Sequence, residues 1–147
     1  MRPTEMSVPI AGGIGGLLGG IAFGLLMQIM MPEVITVAIP ALFGLSGVLT
    51  GWGIHLINSV VFGLVFGLAV SLRPLREFAD SRTTVGLVGL GYGAVVWVVA
   101  AGLVMPIWLA AVGFQGAPPL PNLTVMGLVG HLVYGLVLGL SYYTLRY

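Results

Sequence analysis

Four apolar runs set the terms on which this chain can fold. They cover residues 8–31, about 50–72, about 84–105 and about 122–145. Each is close to the roughly 20 residues that a helix needs to cross a bilayer. Hydrocarbon offers no partner for an open N–H or C=O, so a spanning segment of this length is expected to be helical. The expectation is an all-α integral membrane four-helix bundle, one transmembrane domain over 1–147. Hydrophobic residues at 59%, charged residues at 6% and a mean hydropathy of +1.14 lie far outside the soluble globular range.

The run 8–31 follows a basic start but is too long for the apolar core of a signal peptide, and no small-residue cleavage site closes it. It reads as the first span, ended by Pro32-Glu33. Residues 34–49 are apolar but interrupted by Pro40, Gly44 and Gly47, which suits an interfacial or re-entrant piece. The polar linker 73–83 separates the second and third spans, with Asp80 or Ser81 placed to cap the third helix. Pro106 is expected to end that helix, and Pro118-Pro119-Leu120-Pro121 stiffens the next connection. Trp97 falls in mid-span, where a tryptophan packs between helices; Tyr142, Tyr143 and Tyr147 cluster at the end of the fourth span, at headgroup level.

Arginine orients the chain. Arg2, Arg73, Arg76, Arg82 and Arg146 fall in the N-terminus, the middle linker or the C-terminus, and four spans bring these segments to one side. The connections 32–49 and 106–121 hold no arginine, and the chain has no lysine. The positive-inside rule puts both termini and the linker in the cytoplasm. Arg73, Arg76, Arg82 and Arg146 are also candidates for lipid headgroups. A net charge of +1 offers no basic patch for nucleic acid.

The two histidines carry the strongest internal signal. One i, i+4 row reads Gly51, His55, Ser59, Gly63, Gly67, Ser71, and another reads Gly127, His131, Gly135, Gly139. Residues four apart share a helix face, so each histidine lies on a face of small residues. Shifting the second half back by 76 lays His131 on His55 and Gly139 on Gly63. A shift of 74 lays Met105-Pro106 on Met31-Pro32, Gly89 on Gly15 and Gly93 on Gly19. The chain therefore reads as a tandem, parallel repeat of a two-helix unit, about 8–72 and about 84–145. Gly12, Gly16, Gly20, Gly24, Gly63, Gly67, Gly89, Gly93, Gly135 and Gly139 are the expected helix-packing surfaces, since bare backbone lets a neighbouring helix approach.

The stretches Tyr92-Gly93-Ala94-Val95-Val96-Trp97, Met105-Pro106, Gly130-His131-Leu132-Val133-Tyr134-Gly135 and Gly51-Trp52 with His55 resemble an uncharacterised family of small four-helix prokaryotic membrane proteins. That resemblance covers most of the chain. It implies an architecture and a multi-pass position in a prokaryotic plasma membrane, and it implies no activity.

The candidate polar residues within the spans are His55, His131, Asn58 and Gln28. Each can tie helices together by hydrogen bonds. The histidines have a second reading as a pair of axial ligands to one haem, with small residues leaving room for the macrocycle. No further carboxylate or thiol in the spans completes a metal-only site, so no metal is expected. No paired carboxylates, Ser-His-Asp set or cysteine points to an enzyme. The expected role is a non-enzymatic accessory or structural subunit, packing against other membrane helices or itself, for example in a respiratory or energy-transducing complex. A haem-binding electron carrier comes second, and a passive channel or carrier for a small neutral solute third.

Overall fold

Glycine decides which helices touch. The computed structural model describes residues 5–147, in which four long helices form a bundle and no strand occurs among the described residues. They are α1 (Val8–Met30), α2 (Val48–Ser71), α3 (Arg82–Ala111) and α4 (Val125–Arg146), each long and apolar enough to cross a membrane. Across the bundle the order is α2, α1, α4, α3, with α1 packed on both α2 and α4.

Helix α1 stops at Met31, whose backbone turns to φ −143°. A residue before proline is pushed out of the α region by the ring of that proline, here Pro32. A π-helical turn, Val34–Ala38, and a single α turn, Ile39–Ala41, then fold over the start of α2. There Ile35 and Pro40 are buried, and the Ile35 carbonyl lies against Gly51. Gly44 and Gly47, at φ 67° and 101°, turn the chain into α2 in a conformation that side chains disfavour. Two hydroxyls cap the later helices: Ser81 accepts from the Thr84 N–H and Thr124 from the Gly127 N–H, each at 3.2 Å.

Pro106 does not end the third helix. Helix α3 passes through it to Ala111, after a π-helical stretch at Trp97–Val104. The missing proline N–H is made up from elsewhere, because Asn122 N–H donates to the Gly102 carbonyl in the turn before Pro106 at 2.9 Å. The first half uses the same device. Pro40 also follows a π turn, and Gly47 N–H donates to the Thr36 carbonyl at 3.1 Å. Pro106 and Pro40 thus share a backbone setting, whereas Pro32 follows the end of α1.

Met6, the C-terminal end of α4 and the connection 72–81 lie at one end of the bundle. Met6 N–H donates to the Leu145 carbonyl at 3.1 Å, and Arg146 Nη1 donates to the Met6 carbonyl at 2.8 Å. Arg82 shares a surface crevice with Leu140 and Leu145 at that same end. Arg73, Arg76 and Arg82 are exposed there, and Arg2 falls outside the described residues.

Candidate binding cavity between the histidine helices

Helix α1 has two glycine faces, and α3 has one. Gly12, Gly16, Gly20 and Gly24 face α2, meeting Gly63, Ser59 and Trp52, while Gly15 and Gly19 face α4 at Leu138 and Tyr134. On α3, Gly89 and Gly93 meet Gly135, Gly139 and the His131 carbonyl of α4. Gly67 lies against the Val8 carbonyl. All ten of the glycines assigned to packing are buried at these contacts. By its contacts Gly16 resembles Gly89 more than Gly15 does, because Gly16 meets Ser59 and Gly63 while Gly89 meets Gly135 and Gly139. One residue of register has a large effect. One residue before Gly16 and Gly20 stand Gly15 and Gly19, whereas one residue before Gly89 and Gly93 stand Val88 and Tyr92, bulkier side chains.

Helices α2 and α3 are consequently held apart, and a cavity of about 710 Å³ opens between them. Towards the arginine end it is closed by two hydrogen bonds, Tyr92 Oη to the Phe62 carbonyl and Tyr134 Oη to the Ser59 carbonyl, both 2.7 Å. Towards the other end its wall includes Glu33, Phe114 and Asn122. The lining is mainly apolar and aromatic, and both histidines, Asn58 and Trp97 belong to it.

The structure brings His55 and His131 to one cavity, where both pack against Phe23 of α1, its ring centroid 5.5 Å from that of His55 and 4.7 Å from that of His131, with steeply inclined planes. Each histidine donates one ring N–H to a backbone carbonyl: His55 Nε2 to Gly20 at 2.8 Å, and His131 Nδ1 to Gly127 at 2.7 Å. A carbonyl oxygen only accepts, so these bonds fix which nitrogen carries the hydrogen. The other nitrogen of each ring has no partner among the described residues.

The remaining candidates separate. Gln28 Oε1 accepts from Trp52 Nε1 at 3.1 Å, tying α1 to α2. Asn58 lines the cavity with its amide unpaired among the described residues. Trp97 Nε1 is buried without a partner, against the first turn of α4 at Gly127. Phe23, Phe62, Trp97 and Tyr134 shape the cavity, and sequence reasoning did not assign them to a site. The bulk at Val88 and Tyr92, where α1 has glycine, is the signal that could have found it. Among the described residues no three His, Cys, Asp or Glu side chains gather as a metal site. Comparison with known proteins finds no matching family model, no matching curated protein and no matching solved structure.

Proposed function

We propose that this chain is a non-enzymatic, four-span protein of a prokaryotic plasma membrane that holds one small, largely apolar molecule between α2 and α3. Both termini and the 72–81 connection lie in the cytoplasm, and the two halves descend from one two-helix unit. The cavity carries the reading. Its volume of about 710 Å³ is in the range of small-molecule sites, and a mostly apolar wall with a few convergent polar groups is how such sites are built. The repeat is supported by the matched glycine contacts and by the paired devices at Pro40 and Pro106.

Two other roles have less support. An accessory subunit would dock through its glycine faces, but these meet one another within the chain, and among helical glycines only Gly53 and Gly91 face open space. A passive channel needs a path to the cytoplasmic end, where the Tyr92 and Tyr134 bonds bridge the helices. The decisive experiment is solvent extraction of protein purified in lipid nanodiscs, followed by mass spectrometry. A neutral apolar compound should accompany the wild type at close to one per chain. It should be absent from Ala101→Trp, which fills the cavity wall. Identical extracts from the two proteins would refute the binding role.

A further inference from the structure

Resting on that binding role, we infer that the cavity is filled sideways from the bilayer, through a window between α2 and α3, and that its occupant is a neutral lipophile dissolved in the hydrocarbon rather than a solute arriving from water. Two bridges bound the window. Towards the arginine end, Tyr92 donates to the Phe62 carbonyl at 2.7 Å and packs its ring on Phe66, with centroids 5.3 Å apart. Towards the other end, the Trp108 ring of α3 meets Phe43 at 5.3 Å, and Leu109 is buried with Ala41 and Leu42 against Phe114 and Ala117. The stretch of α3 between Tyr92 and Trp108 runs on the order of 20 Å at a rise of about 1.5 Å per residue. Between the bridges no other hydrogen bond or ring contact joins α2 to α3 among the described residues, and the two helices do not pack on each other.

Side-chain size follows the same plan. Between the bridges the α3 wall is the π-helical stretch, which offers Ala100 and Ala101 to the cavity, and α2 offers Asn58 and Ser59. Small side chains thus stand between two bulky crossings. The surface beside them is apolar, since Ile57 and Val61 on α2 and Val99 and Leu103 on α3 are exposed. Exposed aliphatic faces of spanning helices meet acyl chains, which are as apolar as leucine. Asn58 lies about 15 Å along α2 from its start at Val48, well inside a hydrocarbon layer about 30 Å thick. The lining holds no arginine, and its one carboxylate, Glu33, is exposed beyond the end of α1. A phosphate headgroup would find no cation there, and an unpaired buried charge is costly. A neutral molecule already lying among the acyl chains enters without that cost and without crossing water.

The chain has no cysteine, so a single introduced thiol can carry a nitroxide spin label. Ala101→Cys and Asn58→Cys place the label on opposite walls of the cavity. Val99→Cys, exposed on α3, gives the lipid reference, and Gln115→Cys, exposed between α3 and α4, gives the water reference. In nanodiscs of the full chain, label collisions are compared for dissolved oxygen, which concentrates in hydrocarbon, and chromium oxalate, a charged complex that hydrocarbon excludes. Labels at 101 and 58 should match the label at 99, with an oxygen-to-chromium ratio several-fold above that at 115. Two labels on different helices keep the test open where one variant fails to fold. A ratio like that at 115 overturns entry from lipid and places the mouth in water. Labels that neither reagent reaches overturn the window. Wild type extracted in parallel tests the rest: a phosphorus-containing lipid enriched over Ala101→Trp overturns the neutral class, and an extract identical to that of Ala101→Trp overturns the binding role, whatever the labels report.

Discussion

The Tyr92 hydroxyl donates to the Phe62 carbonyl at 2.7 Å, across the gap that the bulk of the tyrosine creates between α3 and α2. The Tyr92 ring also packs on Phe66, with centroids 5.3 Å apart. One residue thus keeps two helices apart and fastens them together. Tyr92→Phe retains the ring and removes the bond. It should lower stability by about 1 kcal/mol, the scale of an interhelical hydrogen bond. Reversible unfolding in mixed micelles measures this, and an unchanged midpoint would count against the bridge.

A glycine at a helix contact and one on an open helix face should respond in opposite ways to one methyl group. A Cβ at Gly16 would collide with the Ser59 carbonyl and lie 2.9 Å from Gly63 Cα, and backbone cannot step aside as a flexible side chain can. Gly16→Ala should destabilise by about 1–3 kcal/mol, the usual cost of overpacking. A Cβ at Gly53 meets nothing within 4 Å, so Gly53→Ala should be neutral or slightly stabilising. Melting curves of the two variants compare them directly.

Orientation can be read chemically because the chain has no cysteine. Phe78→Cys places an exposed thiol in the arginine-bearing connection, and Gln115→Cys places one between α3 and α4. On the proposed orientation, a membrane-impermeant maleimide applied outside intact cells should label residue 115 and spare residue 78. The reverse pattern would invert the topology.

Haem supplies a separate check. Two imidazoles on one iron must face each other across the metal at nearly 2 Å each, whereas His55 and His131 each pack against the Phe23 ring. The purified protein with added haemin should show no Soret band that depends on the histidines. A band abolished by either His55→Ala or His131→Ala would require the rings to leave their contacts with Phe23, and would favour electron transfer over ligand storage.

The long helices were legible because apolar runs of this length have few alternatives. The glycine rows were legible because i, i+4 spacing survives any detail of packing. The end of α3 was not. A proline normally stops a helix, and what carries α3 past Pro106 is an N–H from Asn122, a tertiary contact that no local pattern records. The cavity was hidden by a similar subtlety. With Gly15 laid on Gly89 the halves look alike, and with Gly16 there the contrast between Gly19 and Tyr92 appears. His55 and His131 stood out as the lone polar rings of apolar faces, but their neighbour Phe23 looked like ordinary core.

The single glycine face of α3 has a consequence for how the chain is made. Helices α1 and α2 leave the ribosome first and carry complementary faces, so they can pair as soon as both are made. Helix α3 arrives next, with Tyr92 turned to α2 and with Gly89 and Gly93 matched to a helix that has not yet been synthesised. Until α4 inserts, binding both α1 and α3, the third helix has nothing to grip closely. Assembly therefore waits on the last 22 residues of helix, and a chain cut short before Val125 would leave a paired front half beside an unattached α3.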